Sequence, residues 1–313
     1  MKIGIDVMGG DYAPLATIKG AILAQQELSS GDTIVLFGDK TRIESIFGEL
    51  NADISLFDVV HCSEVIEMGE HPTKAISQKQ DSSISKAFHY LKNKEIDGLC
   101  SAGNTGAMLV GAMYSVNSIP GVIRPCTSAS LPKENGGTGL LLDVGTNPDA
   151  KPDVLYQFAI IGNLYAQQVL KIKNPRIALL SIGEEEGKGN LQTQAVYSLM
   201  KGTTDFEFVG NIESRDLFKD KADVIICDGF VGNVVLKQVE GMYRMIVKRG
   251  FKDEFFDRMN YENHGGTPIL GINSTVIIGH GISNDIAIKN MILQTKNIQS
   301  SKLISKIKKA FSQ

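Results

Sequence analysis

Short apolar runs alternate with longer amphipathic segments along the whole chain. Nine runs rich in β-branched residues predict strands, at residues 3–7, 33–37, 54–60, 98–100, 139–143, 176–181, 206–209, 224–227 and 276–278. Segments with helical periodicity lie between them, at residues 15–28, 83–94, 105–116, 154–170, 192–201, 233–249 and 284–295. Strands that alternate with helices are typical of a mostly parallel sheet with helices on its faces, so the pattern predicts an α/β fold.

The chain shows no feature that would divide it into independent domains. It has no Gly/Ser-rich or Pro-rich linker and no internal repeat. We therefore expect one domain over residues 1–313, which can be shaped as two lobes around a cleft. In the last segment, residues 301–311, apolar side chains and lysines fall on different faces, which predicts a closing helix packed on the surface.

Charge and cysteine content narrow the class of protein. The 313 residues include 32 Lys and Arg against 35 Asp and Glu, and a net charge of −3 gives no overall attraction to nucleic acid. The four cysteines, Cys62, Cys100, Cys126 and Cys227, are widely separated, and we expect them to be reduced core residues. The chain opens with a strand and has no long apolar run, so we expect a cytoplasmic location, without a secretory signal or a spanning helix.

Five loops rich in Gly, Asn, Asp and Ser follow predicted strands. They are residues 6–11, 101–106, 143–148, 183–190 and 228–233. Any one of them could be a tight turn without a ligand. Open parallel sheets bind ligands beyond the carboxyl ends of their strands, so the five loops together predict a polar cleft lined by backbone.

Two of these loops favour an anion. The loop that starts at Ser101 follows a strand and opens a helix, and the N–H groups at a helix N-terminus are suited to phosphate. Lys188 lies between Gly187 and Gly189 just before another predicted helix, where its ammonium group could face the same anion. An exposed lysine in a turn is the alternative interpretation.

Several better-known motifs are absent. Gly187 and Gly189 are followed by Gln192 where the dinucleotide fingerprint G-x-G-x-x-G needs its third glycine. The P-loop pattern fails because Lys188 is followed by glycine instead of Ser or Thr. The five histidines lack metal-ligand spacing, and no G-x-S-x-G sequence is present. We therefore expect no nucleotide cofactor, no metal and no serine nucleophile.

Six motifs stand at these loops or near them. They are I-D-V-M-G-G-D-Y-A-P from Ile5, S-A-G-N-T-G-A from Ser101, L-L-D-V-G-T-N-P from Leu141, G-E-E-E-G-K-G-N from Gly183, D-G-F-V-G-N from Asp228 and H-G-G-T-P-I-L-G from His264. Together the motifs closely resemble acyl carrier protein:phosphate acyltransferases, in order and over most of the chain.

The resemblance implies a three-layer α/β/α fold, similar to phosphotransacetylases and isopropylmalate dehydrogenases, in a homodimer without a cofactor. It implies acyl carrier protein and inorganic phosphate as substrates, and acyl phosphate for glycerophospholipid synthesis as product. It also implies a peripheral contact with the inner face of the plasma membrane, beside the membrane glycerol-3-phosphate acyltransferase. The segment 234–263 is shorter than the corresponding stretch of many members of that family, where it carries an apolar helical tip, so the resemblance supports the membrane contact less than the other properties. Phe251, Phe255, Phe256 and Met259 within it suit either a membrane or a dimer contact.

A mechanism can be stated as a hypothesis on these loops. The predicted phosphate-binding residues are Ser101, Gly103, Asn104, Thr105, Gly106 and Lys188. The predicted donors to the developing oxyanion are Asn190, Asn147 and Asn233, while Asp143 and Asp228 orient these groups or take a proton. His280 is a second candidate base, and the other predicted cleft residues are Asp6, Gly9, Gly10 and Asp11.

Two other functions remain open at this point. A short-chain acyl-CoA phosphotransacetylase would share the fold and use coenzyme A as the carrier. A non-catalytic, membrane-associated regulator would bind phosphate without turning over a thioester. An acidic acyl carrier protein would dock on a local basic patch, and the candidate pairs are Arg124 with Lys133 and Lys289 with Lys296.

Overall fold

A computed structural model describes residues 1–312 and shows strands and helices in alternation. The strands are β1 Lys2–Asp6, β2 Thr33–Gly38, β3 Phe57–His61, β4 Gly98–Ser101, β5 Cys126–Pro132, β6 Thr138–Leu142, β7 Arg176–Leu180, β8 Glu207–Ile212, β9 Val224–Ile226, β10 Thr267–Leu270 and β11 Thr275–Ile278. The helices are α1 Leu15–Gln25, α2 Lys40–Glu49, α3 Pro72–Gln78, α4 Ser83–Lys92, α5 Thr105–Gly111, α6 Pro152–Gln168, α7 Leu191–Met200, α8 Gly229–Lys248, α9 Glu254–Asp257, α10 Tyr261–His264, α11 Asp285–Ser300 and α12 Leu303–Phe311.

The first of two compact units comprises Met1–Ser118 and Tyr261–Ser300. Its strands lie in the order β3-β2-β1-β4-β11-β10, with parallel neighbours except for the antiparallel pair of β10 and β11. Helices α1 and α11 pack together on one face, where Gly20 lets Ile288 approach the backbone of α1. Helices α4 and α5 cover the other face, where Phe88 and Met108 are fully buried. A sheet between two helical layers encloses the core of this unit.

The second unit comprises Ile119–Asn260 and the C-terminal segment that begins at Ser301. Its strands lie in the order β5-β6-β9-β7-β8, and only the β5–β6 hairpin is antiparallel. Side chains alternate across β6, because Leu142 packs beneath Gly162 of α6 while Leu141 belongs to a cluster with Leu236 of α8. Helix α12 packs on α6 and buries Leu303. This unit too has helices on both faces of its sheet.

The predicted α/β class with mostly parallel strands is confirmed. The predicted strand 54–60 is shorter in the structure, because Asp53 caps a 3₁₀ turn over Ile54–Leu56 and β3 starts at Phe57. The strands β5 and β10 were not predicted. Each pairs antiparallel with the next strand along the chain, and each contains a proline and polar residues that obscure the strand pattern.

Four charged side chains join the amino ends of β7 and β9 to the carboxyl end of β5 in the second unit. Lys133 Nζ lies 2.5 Å from Asp223 Oδ1 and 2.9 Å from Asp220 Oδ1, and Arg176 Nε lies 3.0 Å from Asp223 Oδ2. Burial tends to raise the pKa of Asp223, but the hydrogen bonds from Arg176 and Lys133 lower it to about 2. The network holds Lys133 buried, at 4% exposure.

All four cysteines are free thiols and are buried. Burial raises the pKa of Cys62 and of Cys100 to about 12, and it raises the pKa of Cys126 and Cys227 as well. Within residues 1–312 no helix is both long enough and apolar enough to cross a membrane.

Candidate functional site

Three loops meet at the carboxyl ends of parallel strands in the first unit. They follow β1, β4 and β11, and hydrogen bonds connect them. The Ser101 hydroxyl donates to Asp6 Oδ2 at 2.7 Å, and Gly279 N donates to the Ser101 carbonyl at 2.8 Å. Asp11 N donates to the Gly281 carbonyl at 2.7 Å. The predicted cleft residues Asp6, Asp11, Ser101 and His280 therefore come together in one loop cluster.

Glycine is required where the first two of these loops touch. A Cβ at Gly9 would lie 2.6 Å from the nitrogen of Gly103, and Gly10 has a φ of +109°. Asp6 lies beneath this contact at 1% exposure. Burial raises the pKa of the Asp6 carboxyl, although hydrogen bonds from Ser83 and Ser101 work in the opposite direction. Asp6 thus supports the loops from below and is out of reach of a substrate.

The structure assigns internal tasks to two predicted phosphate-binding side chains. Ser101 is fully buried and, besides bonding Asp6, accepts from Gly103 N at 2.9 Å. The Asn104 amide nitrogen donates to the carbonyl oxygens of Glu67, Met68 and Glu70, and its oxygen caps α5 at Ala107 N. Neither side chain has donor hydrogens left for a ligand.

Thr105 and Gly106 stand in a different position. They open α5, which continues directly into a π-helical turn over Ala112–Val116. The first N–H groups of a helix have no intrahelical partner, and the Asn104 cap serves only that of Ala107. The exposed Thr105 and the half-buried Gly106 therefore keep their N–H groups for a ligand.

Asp143 is the centre of the second unit's loop cluster. It follows β6, is fully buried, and accepts five hydrogen bonds through its two carboxylate oxygens. Thr127 donates its N–H at 3.0 Å and its hydroxyl at 2.7 Å, and Thr146 donates its N–H at 3.2 Å. Asn147 donates its N–H at 2.7 Å and its side-chain amide at 2.8 Å. This saturated carboxylate orients the loop, and it has no exposed atom with which to take a proton from phosphate.

The Asn147 side chain supports the loop, whereas the sequence predicted it as a donor to the oxyanion. Its side-chain nitrogen donates one hydrogen to Asp143 Oδ2 and the other to the Pro125 carbonyl oxygen, at 2.8 Å each. The residue is 3% exposed. No hydrogen remains for an oxyanion. Asn147 is therefore a positioning residue, and its carbonyl accepts from Gly229 N at the start of α8.

Asp228 and Asn233 extend this cluster from the loop after β9. The Asp228 carboxylate caps α8 by accepting from Val231 N at 2.8 Å. Asn233 lies one turn into α8 and is exposed, and its amide nitrogen donates to the Val144 carbonyl at 3.2 Å. One N–H of Asn233 stays available, beside the exposed Gly145.

Lys188 and Asn190 lie in the exposed loop between β7 and α7. Asn190 caps α7 by accepting from Thr193 N at 2.8 Å, and its amide nitrogen has no hydrogen-bond partner among residues 1–312. The same holds for the ammonium group of Lys188, which forms no ion pair within that range. The neighbouring acids are engaged, since Glu184 pairs with Lys221 and Glu186 with Lys201. Both candidates can therefore meet a ligand.

The remaining candidate base, His280, is half-buried and packs edge-on against Tyr261 at 4.9 Å between ring centroids. Two polar residues near the loop clusters were missed in the sequence. Ser283, in the loop after β11, is 4% exposed, and its hydroxyl has no hydrogen-bond partner among the described residues. The sequence did not single out Ser283 or Thr127, because a lone Ser or Thr carries no motif. Within residues 1–312 no three or more His, Cys, Asp or Glu side chains form a metal-binding group.

Known proteins resemble this chain in sequence and in fold. The model of a family described as "Fatty acid synthesis protein" matches residues 1–306. The phosphate acyltransferase of Dictyoglomus turgidum is 44% identical over 311 residues, which cover 93% of this chain and 92% of that protein. The phosphate acyltransferase of Dictyoglomus thermophilum is 42% identical over 332 residues, with coverage of 100% and 98%.

Two solved structures share the fold at 16% sequence identity. The EutD phosphotransacetylase from Staphylococcus aureus has a TM-score of 0.66 and covers 96% of this chain and 94% of its own. A branched-chain phosphotransacylase from Enterococcus faecalis V583 has a TM-score of 0.64, with coverage of 96% and 99%. The expected three-layer α/β/α fold is thus confirmed. Because its relatives match almost end to end at more than 40% identity, this chain belongs to the phosphate acyltransferases, a family of acyl-transferring enzymes.

Proposed function

We propose that the chain moves a long-chain fatty acyl group from acyl carrier protein to inorganic phosphate, forming acyl phosphate for glycerophospholipid synthesis. The observation that supports this most is the 44% identity to a phosphate acyltransferase over nearly the full length of both chains. The loop clusters at the carboxyl ends of the parallel strands in each unit are polar, as such chemistry needs.

The chemistry can proceed without a covalent enzyme intermediate. A phosphate oxygen attacks the thioester carbonyl carbon, a tetrahedral oxyanion forms, and the C–S bond breaks as the carrier thiolate leaves. A phosphate group loses its second proton near pH 6, so at neutral pH the nucleophile arrives largely activated. The protein then contributes mainly by holding the reactants and by donating to the oxyanion.

Phosphate contacts are proposed in each unit. In the first, the N–H groups of Thr105 and Gly106 at the start of α5 are the donors, and Ser101 and Asn104 keep that loop in shape. In the second, Lys188 supplies a cation that is not committed to any ion pair within residues 1–312.

The role of Lys188 is open to a direct test. Lys188→Ala is expected to raise the KM for phosphate by about tenfold or more, because a charge-assisted hydrogen bond contributes about 1.5 to 3 kcal/mol. Lys173→Ala, at another exposed lysine after α6, serves as the control. Unchanged phosphate KM and kcat in Lys188→Ala would refute the role.

Oxyanion stabilisation is proposed for Asn233 and Asn190. Both are exposed, and each keeps an amide hydrogen after its structural bond is counted. Asp228 orients the start of α8, on which Asn233 stands, and His280 stays the candidate for a proton transfer.

The defining experiment measures phosphate-dependent release of carrier thiol from palmitoyl acyl carrier protein, while hydroxylamine traps acyl phosphate. Palmitoyl coenzyme A and a short-chain acyl coenzyme A are run in parallel. Fast turnover of the carrier protein is the expected result. Turnover of the short-chain coenzyme A ester alone would identify a phosphotransacetylase, and phosphate binding without any thiol release would identify a non-catalytic regulator.

A homodimer with a peripheral membrane contact is part of the proposal. Helix α8 buries only Gly229, Gly232 and Glu240 among its 20 residues. Five exposed apolar side chains share one face of it, here called the α8 stripe: Phe230, Val231, Val234, Met242 and Met245. Exposed apolar side chains on one face of a long helix are typical of a subunit contact, and the more distant Phe251, 65% exposed, is the proposed contact with lipid.

A further inference from the structure

The basic pairs that the sequence offered to an acidic partner are largely neutralised. Lys133 is buried in ion pairs with Asp220 and Asp223. Lys289 pairs with Glu27 at 2.9 Å, and Lys296 pairs with Asp32 at 2.8 Å. Of those four cations only Arg124 is exposed without an ion pair among the described residues.

Helix α12 presents a second group of uncommitted cations in the same unit. Its buried face consists of Leu303 and Ile307, which pack toward α6. Four lysines at its start and along its other faces are exposed and form no ion pair within residues 1–312: Lys302, Lys306, Lys308 and Lys309. We call these lysines, together with Arg124, the basic ridge.

The segment before β5 joins the end of α12 to Arg124. Gly121 has a φ of +89°, and a Cβ there would lie 2.6 Å from the Phe311 carbonyl oxygen, so the two backbones touch. Gln157 of α6 holds the same segment, because it donates to the Gly121 carbonyl and accepts from Ile123 N. Lys308 and Lys309 precede Phe311 by two or three residues, and the exposed Ile123 and Arg124 follow Gly121 by two or three, so this backbone contact links the two parts of the basic ridge.

This segment also connects directly to the Asp143 cluster. Pro125, the residue after Arg124, accepts the hydrogen bond from the Asn147 side chain at 2.8 Å. Thr127 then donates twice to Asp143. The basic ridge thus ends where the loop of the proposed active site begins. Helix α6 carries one carboxylate, that of Asp153 in its first turn, whose Oδ1 accepts from Val154 N.

We infer that the basic ridge is the docking surface for the acidic acyl carrier protein, an inference that rests on the proposed function. Cations on the ridge face the carboxylates of the carrier, and the exposed Ile123, next to Arg124, adds an apolar contact. A carrier held here has its thioester arm free to reach the adjoining loop of Asp143 and Asn147.

The test compares the double variants Lys308→Glu, Lys309→Glu and Lys171→Glu, Lys173→Glu, together with the single variant Arg124→Glu. The two double variants change the net charge equally in the same unit, and all four lysines are exposed. The ridge variants are expected to raise the KM for palmitoyl acyl carrier protein by about tenfold, with kcat at saturating carrier unchanged. The effect should shrink at high ionic strength, because exposed charges are screened.

Three outcomes would overturn the inference. In the first, KM for the carrier protein stays at the wild-type value while the wild type turns over normally, which leaves the proposed function intact. In the second, the control double variant raises KM as much as the ridge variants do. In the third, the ridge variants lose only sedimentation with vesicles of anionic phospholipid, which would assign the ridge to a membrane. Absence of turnover in the wild type would instead refute the proposed function.

Discussion

At the scale of single residues, polar side chains near the proposed site divide into those that hold loops and those that face outward. Asp143, Asn147, Ser101 and Asn104 are buried, and their hydrogen bonds run to protein groups. Asn233, Asn190, Lys188 and Thr105 are exposed. Mutations in the first set should therefore lower stability. Mutations in the second set should act mainly on kinetics, although a change at Asn190 also removes the cap of α7.

Asp143→Asn tests the first set. The asparagine would place an amide group among five hydrogen-bond donors, so at least one buried donor would lose its partner. We expect the free energy of unfolding to fall by about 1 to 3 kcal/mol. Urea unfolding measures this, with the exposed Asp149→Asn as control. A variant as stable as the wild type would show that the carboxylate does not organise the loop.

Asn233→Ala tests the second set. Loss of one oxyanion donor is expected to lower kcat by about 10² to 10³ while the free energy of unfolding stays within about 0.5 kcal/mol of the wild type. Asn147→Ala should lower kcat and stability together, because both of its amide hydrogens support the loop. If Asn233→Ala keeps the wild-type kcat, Asn190 becomes the remaining candidate donor.

At the scale of elements, helix α8 buries only three of its 20 residues and carries five exposed apolar side chains on one face. The α8 stripe runs from Phe230 to Met245 over about 22 Å, given a rise of about 1.5 Å per residue. Phe255 and Phe256, which the sequence also offered to a membrane, are half-buried, and Phe255 packs edge-on against Phe218 at 5.8 Å. Substitutions at these two positions would disturb packing as well as any surface contact.

The double variant Met242→Glu, Met245→Glu tests for a dimer more directly than a substitution at Phe255 or Phe256 would. Both side chains are about half exposed, at 48% and 58%, so the single chain should tolerate the change. We expect light scattering after gel filtration to give the mass of one chain for the variant and of two chains for the wild type. Phe251→Glu is the matched variant, and it should keep the dimer but lose sedimentation with anionic vesicles.

Some strands could be predicted from the local sequence pattern alone, and others could not. The parallel strands β1, β7 and β9 are short, almost entirely buried runs rich in Ile, Leu and Val, and each was predicted to within a residue or two. The strand β5 was missed because Thr127, Ser128 and Ser130 interrupt its apolar pattern. Thr127 bonds to Asp143, which is distant in sequence, and a local pattern does not contain such a partner.

The candidate site shows the same division. The loops were found because glycine and polar residues cluster after strands, whereas the distinction between a structural and a ligand-facing asparagine depends on three-dimensional contacts. Asn147 and Asn233 look alike in sequence, yet one is 3% exposed and the other lies on an open helix face. Only the folded chain shows which hydrogens are already in use.

At the scale of the whole molecule, stability at low pH depends on buried ion pairs. Asp223 has a pKa of about 2 in the folded protein, against an ordinary value of 3.8. A depressed carboxyl pKa contributes stability that is fully present above the unfolded value and is lost as pH falls through the folded one. The network of Asp223, Asp220, Lys133 and Arg176 should therefore weaken between pH 3.8 and about 2.

The variant Asp223→Asn allows the contribution of these ion pairs to the free energy of unfolding to be measured. Removal of one charge leaves Lys133 buried without full compensation, so we expect a loss of about 3 to 5 kcal/mol in the free energy of unfolding at pH 7. The difference from the wild type should shrink below pH 3.8. Urea unfolding at pH 7, 4 and 3 would show the trend, with the exposed Asp205→Asn as control. A difference that stays constant with pH would contradict the ion-pair account.

The burial of all four cysteines also determines how the native protein reacts with thiol reagents. A thiol reacts as its thiolate, and a pKa of about 12 leaves Cys62 and Cys100 protonated as well as inaccessible. A chromogenic disulfide should therefore stay colourless with the folded enzyme, and any colour during turnover would come from the liberated carrier. In denaturant the same reagent measures the rate of unfolding, because the four thiols of each unfolded chain release four equivalents of chromophore.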